Sequence, residues 1–113
     1  MLRSPENLGI IHFIGIGGIG MSGIAEILIQ SGYIVQGSDI NESKNTARLK
    51  KLGVKIFIGH QKSNIKNAKI IVVSTAISQT NEELIKGKKM FLPIVHRAEM
   101  LGELMRLKQS IAI

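Results

Sequence analysis

The sequence predicts an α/β fold: a parallel sheet with helices on both faces, built as a single domain. Three observations carry this. Short apolar runs alternate with longer periodic or polar runs along the chain, the pattern of parallel strands joined by helical crossovers. A cluster of glycines, Gly15, Gly17 and Gly20, joins the first apolar run to the first periodic one. The 113 residues suit one domain with a real core, which needs neither a metal nor a disulfide.

The elements follow in order. Ile10–Ile16 is an apolar run bounded by glycines, as in a strand buried on both faces. Ile19–Ser31 carries Ile24, Ile27 and Leu28 at helical spacing, and Gly32 is placed to stop the helix. Tyr33–Gly37 is a second strand that reaches Ser38 and Asp39. Ser43–Leu52 is a polar helix with Leu49 and Leu52 inward and Gly53 as its stop. Val54–Ile58 is a third strand. His60–Ala68 is polar, with at most a short helix. Lys69–Ser74, rich in Ile and Val, is the most β-like run. Asn81–Lys86 is a short helix. Phe91–Val95 holds Pro93 and reads as a short or edge strand. Arg97–Leu107 is a helix with Met100, Leu101, Leu104 and Met105 on its apolar face, a core role. The chain then closes on Ser110–Ile113, which looks like the opening of another strand.

Composition excludes several classes. With no cysteine there is no thiol catalysis, cysteine metal site or disulfide, which fits a reducing, cytoplasmic setting. The net charge is +7, but the lysines are dispersed, and one Tyr and three Phe offer little to stack on bases. Nucleic acid is therefore not an expected partner. Leu8–Ile29 is long enough to cross a membrane, yet six glycines, His12, Ser22 and Glu26 break it into separate elements, so no membrane partner is expected.

Gly15-Ile16-Gly17-Gly18-Ile19-Gly20 matches G-x-G-x-x-G between a strand and a helix. The first glycine permits a tight turn, the second a close backbone approach to a diphosphate, and the third close packing of helix on strand. Unpaired amides at the helix start then face the phosphates with the helix dipole behind them. Asp39 lies 19 residues beyond Gly20 at the exit of the second strand, where an acid accepts a ribose hydroxyl. The fold is thus Rossmann-like and the ligand a nucleoside diphosphate. These residues alone leave an NAD-binding domain of an oxidoreductase or regulatory subunit open. A basic interaction module is disfavoured by the dispersed charge.

Several segments, "HFIGIGGIGMSGIAEIL", "GYIVQGSDI", "LGVKIFIGH", "IIVVSTAI", "NEEL" and "PIVHRAEMLGELMR", occur in this order. Together they resemble the amino-terminal domain of the Mur ligases of peptidoglycan synthesis, over about His12–Ile113. Within that family they are similar to the members that join L-alanine to UDP-N-acetylmuramate, ahead of a muropeptide-recycling branch. The resemblance implies a three-domain enzyme. Its first domain holds the UDP part of UDP-N-acetylmuramate, and a central domain carries the P-loop for ATP and Mg2+. The muramate carboxylate is phosphorylated, and the amine of L-alanine displaces phosphate from the acyl phosphate. Residues 1–109 are then the substrate-binding domain and 110–113 the start of the central one. No G-x-x-x-x-G-K-[ST] occurs in this chain, so the fragment is expected to bind without catalysing, with no catalytic residue and no metal site of its own.

Carried over by position, Gly17, Gly18, Ile19, Gly20, Met21 and Ser22 resemble the diphosphate loop. Ser38 and Asp39 resemble the pair at the nucleoside end. Ser74, Thr75, Ala76 and Ile77 resemble a loop beside the substrate, with Thr75 where Ser is commoner. His96 and Arg97 open the "HRAEML" segment, and Arg97 offers a forked cation to phosphate or uracil oxygens. Ser74 and Thr75 equally fit hydrogen bonding at a strand end, and His96 a helix cap. His12, inside a strand, reads as structural; His60, at a strand exit, stays open.

Overall fold

The computed structural model describes residues 5–111. Five parallel strands, β1 (Ile10–Ile14), β2 (Ile34–Asp39), β3 (Lys55–Ile58), β4 (Ala68–Val73) and β5 (Ile94–His96), form one sheet in the order β3-β2-β1-β4-β5. The helices are α1 (Pro5–Leu8), α2 (Met21–Gln30), α3 (Lys44–Lys51), α4 (Glu82–Lys89) and α5 (Arg97–Ile111). The expected α/β architecture is therefore present. Chain order reverses between β1 and β4, and ligands of such sheets lie beyond the strand ends at that switch point.

Period-two alternation sorts the core. Ile11 and Phe13 of β1, Val35 of β2 and Ile70 and Val72 of β4 pack with α2, Leu49 of α3, and Met100 and Leu104 of α5. Ile14, Ile71 and Val73 face the other way, onto Leu84 of α4 and Ile65 of a 3₁₀ turn at Lys62–Ile65. Three polar residues, His12, Gln36 and Ser38, share the burial of this second face. Register pairs His12 with Gln36 and Ile14 with Ser38, so they form one patch beneath α4. His12 is thus structural, as its place inside a strand suggested.

Several boundaries differ from the sequence reading, and Leu52, Leu101 and Met105, expected to face inward, are exposed. Pro5–Leu8 forms an unexpected helical turn. α2 begins at Met21 rather than Ile19, because Gly20 caps it in a left-handed conformation (φ +83°) that leaves Ile19 outside, 98% exposed. β5 starts only after Pro93, which lacks the N–H a ladder needs, although its carbonyl still accepts from Ile71 N–H. α5 runs on to Ile111, so Ser110 and Ile111 are helical where a strand was expected. No Gly or Pro follows Gly102 to break the helix. The remainder of that expected strand, Ala112 and Ile113, lies outside the described residues.

β1 and β2 meet most tightly at Gly37. A β-carbon there would stand 2.6 Å from the Ile16 side chain and 2.8 Å from the Phe13 carbonyl. Gly37→Ala is expected to destabilise the chain by about 1–3 kcal/mol, the usual cost of overpacking. Urea unfolding reads this as a lower midpoint at unchanged slope; an unchanged midpoint would mean that Ile16 yields freely.

Candidate functional site

The turn after β1 is held by three consecutive residues of β2. Gly37 leaves room for Ile16. The Ser38 carbonyl accepts from the N–H groups of Gly15 (2.8 Å) and Ile16 (2.9 Å). The Asp39 carboxylate accepts from Gly17 N–H through Oδ2 (2.9 Å), while its Oδ1 accepts from Ile40 N–H (2.8 Å). Asn45 Nδ2 then donates to the Gly17 carbonyl (3.0 Å). The second glycine is therefore crowded on its protein side: a β-carbon would meet Asp39, Ser43 and Thr46 within 3.1 Å.

Further along the turn, Gly18 N–H donates to the Gly15 carbonyl, and Met21 and Ser22 N–H to the Gly18 carbonyl. Among the described residues, Ile19 and Gly20 N–H have no acceptor. They sit at the start of α2, where the helix dipole favours an anion. Arg97, the first residue of α5, lies against the same spot: a Gly20 β-carbon would stand 3.2 Å from its Cδ and Nη1. Arg97 makes no hydrogen bond or ion pair among the described residues. Two open amides and one uncommitted guanidinium thus surround one point, an arrangement suited to phosphate oxygens.

The β4 exit joins this rim. Ile77 packs against the turn, with its Cδ1 3.1 Å from where a Gly15 β-carbon would be. Ser74 closes its own loop, accepting Ala76 N–H at Oγ and Ile77 N–H at its carbonyl. A groove of about 380 Å³ opens beside it, lined by Ser74, Thr75, Ile77, Gln79, Lys88 and His96, among others. His96 side chain is exposed, and its N–H donates to Glu99 Oε1 (3.1 Å), so its backbone is part of the α5 cap.

The structure gathers Gly17, Gly18, Ile19, Gly20, Met21, Ser22, Asp39, Ile77 and Arg97 around the turn, and sets Ser74, Thr75, Ala76 and His96 along the adjoining groove and loop. Two of the sequence-selected side chains are not open to a ligand. Met21 is core, and Ser38 is fully buried beneath the turn. Sequence reasoning missed Gly37, Asn45 and, above all, Glu83.

Glu83 is a fully buried carboxylate on α4. Its Oε1 accepts from His12 Nε2 (2.6 Å) and Ser38 Oγ (2.6 Å), and its Oε2 from Asn64 Nδ2 (2.8 Å) and Gln61 N–H (3.1 Å). His60 Nδ1 lies 2.8 Å from Ser38 Oγ and 3.7 Å from Glu83 Oε2. Burial pushes the Glu83 carboxyl up. The hydrogen bonds donated by His12, Ser38 and Asn64 outweigh this and hold it below its ordinary 4.5. The signal for this cluster was three polar residues in otherwise apolar strands, which demand a buried partner.

With this geometry in view, the comparisons fix the class. The fold and turn define an α/β domain of Rossmann type. The Mur ligase family, catalytic domain, matches residues 10–109. The chain is 57% identical over 112 residues to a UDP-N-acetylmuramate–L-alanine ligase of Rhodopseudomonas palustris, covering 99% of this chain and 24% of that protein. It is 54% identical, with the same coverage, to one of Brucella anthropi. The crystal structure of the UDP-N-acetylmuramate–alanine ligase of Thermotoga maritima superposes with a TM-score of 0.84 at 34% identity, over 88% of this chain and 23% of that one. A UDP-N-acetylmuramate:L-alanyl-γ-D-glutamyl-meso-diaminopimelate ligase from Neisseria gives 0.78 at 25% identity, over 85% of this chain and 31% of that one. The chain belongs to the Mur ligase family, and it spans about a quarter of the length of the curated relatives it matches.

The Glu83 carboxyl makes a prediction for acid. A carboxyl held low when folded stabilises the fold above its unfolded value, and that stability is lost as pH falls through the folded one. Between about pH 5 and pH 3, the stability of Glu83→Gln should fall less steeply than that of the parent. An equal fall of stability with pH in the two chains, read by urea unfolding, would show that folding does not hold the Glu83 carboxyl low.

Proposed function

We propose that this chain is the UDP-N-acetylmuramate-binding domain of an ATP-dependent ligase. The enzyme joins L-alanine to the lactyl carboxylate of that sugar nucleotide in peptidoglycan synthesis, a cytoplasmic reaction. The observation that carries the reading is the pair of open amides, Ile19 and Gly20 N–H, under an uncommitted Arg97. This is a diphosphate site, and the similarity to ligases named for UDP-N-acetylmuramate supplies the rest of the ligand.

In this reading the diphosphate lies over Ile19 and Gly20, bridged by the Arg97 fork. The nucleoside lies toward Asp39, whose carboxylate keeps a second lone pair on each oxygen for a ribose hydroxyl or the uracil N–H. The sugar and its lactyl group extend toward Ser74–Ile77 and His96. Ser38 serves from below, through its carbonyl rather than its hydroxyl.

The sequence has no Walker lysine. In this reading ATP, magnesium and L-alanine belong to the whole ligase, and this domain's part is to bind and orient the acceptor. None of its described helices is long and apolar enough to cross a membrane.

Calorimetric titration of the chain with UDP-N-acetylmuramate, UDP and NAD tests the proposal. Both uridine compounds should bind more tightly than NAD; the reverse ranking would sink it. Arg97→Ala should weaken UDP by about 1.5–3 kcal/mol, the worth of a charge-assisted hydrogen bond, or roughly ten- to a hundredfold. An unchanged affinity in the folded variant would remove Arg97 from the site.

A further inference from the structure

The buried cluster around Glu83 lies beneath α4 and reaches the candidate site through two of its strands, β1 and β2. Glu83 takes donors from β1 (His12), β2 (Ser38) and the segment after β3 (Gln61 and Asn64). Its own helix is fixed by Asn81, whose Oδ1 caps α4 by accepting from Glu83 and Leu84 N–H. This accounts for the "NEEL" segment: Asn81 starts the helix and Glu83 is delivered within its first turn.

Hydrogen-bond directions in the cluster follow from one fact. An ionised carboxylate only accepts. So His12 Nε2 and the Ser38 hydroxyl both donate to Glu83 Oε1. Having spent its only proton, Ser38 Oγ accepts from His60 Nδ1. His12 Nδ1 in turn accepts from Gln36 Nε2, which also donates to the Asn64 carbonyl. Each described buried side-chain polar atom has a partner. A network with one consistent pattern holds one geometry.

Ser38 is the point where this network meets the turn. Its hydroxyl is clamped by Glu83 and His60, and its carbonyl sets Gly15 and Ile16. We propose that Glu83 is a positioning residue for the glycine turn. Acting through Ser38, it fixes the path of Gly15–Gly17 and so the direction of the open Ile19 and Gly20 amides. The consequence for affinity rests on the reading of that turn as a diphosphate site; the consequence for the turn itself does not.

The test uses Glu83→Gln, Ser38→Ala and the double variant of this chain. Gln offers one acceptor oxygen to a site built for two. Ala cuts the link to Glu83 but keeps the carbonyl, and it is the small change that decides if Glu83→Gln fails to fold. Amide exchange by NMR on the ligand-free chain should speed up at Gly15 and Ile16 by tenfold or more relative to Leu28 and Leu49. UDP affinity of the folded variants should fall roughly tenfold in each. The double variant should bind no more weakly than the worse single, since both cut one path. A merely structural role would speed exchange at all four amides alike and leave UDP affinity within twofold; either result overturns the proposal. If the parent itself binds no UDP while Gly15 and Ile16 respond as expected, the positioning role stands and the diphosphate reading falls.

Discussion

Gly37, Ser38 and Asp39 hold Ile16, Gly15 with Ile16, and Gly17 in turn. The strand end beside β1 thus serves as a mould for the turn that leaves β1. Each residue does this by a different physical means: an absent side chain, a backbone carbonyl and a carboxylate. The turn is consequently fixed at its beginning and open at its end. Gly15, Ile16 and Gly17 spend their amides on protein, whereas Ile19 and Gly20 do not. A phosphate site needs that division, because open amides recognise an anion only when the backbone carrying them is already in place.

The electrostatics follow the same division. The negative charge of Asp39 is directed at Gly17 N–H and Ile40 N–H, on the β2 side of the turn. The positive charge of Arg97 is directed at Gly20, and among the described residues no acid neutralises it. An Arg paired with a carboxylate would have to be released before it could take a phosphate. Arg97 needs no such exchange. Its position at the first residue of α5, directly after β5, also ties the cation to the sheet rather than to a mobile tip.

Much of this was legible in the sequence, and the reasons are specific. The strand–turn–helix at Gly15–Gly20 announces itself because only glycine tolerates that path, and Asp39 because a strand length separates it from the turn. Arg97 is marked by its place at the exit of the last strand as well as by the resemblance. What stayed hidden depends on contacts distant in sequence. Glu83 lies 71 residues from His12 and 45 from Ser38, and an acid in a short polar helix looks like any solvated one. Gly37 looked like an ordinary strand glycine until Ile16 was seen lying over it. The start of α2 was misjudged because the apolar Ile19 fits the helical period while a left-handed Gly20 excludes it.

A buried carboxylate is an expensive choice for a structural link, since desolvating an ion costs several kcal/mol and only good geometry offsets it. A leucine at position 83 would join Ile14, Ile71 and Leu84 without that penalty. It could not, however, impose direction. An apolar contact tolerates small slides of β2 against β1, whereas four donors converging on two oxygens do not. The slide that matters is small: the Ser38 carbonyl sits 2.8 Å and 2.9 Å from two successive amides, and a shift of half an ångström would weaken one of those bonds and turn the rest of the loop. The charge at Glu83 thus makes sense as a device for register, placed beneath α4 and acting, through Ser38, on the turn that leaves β1.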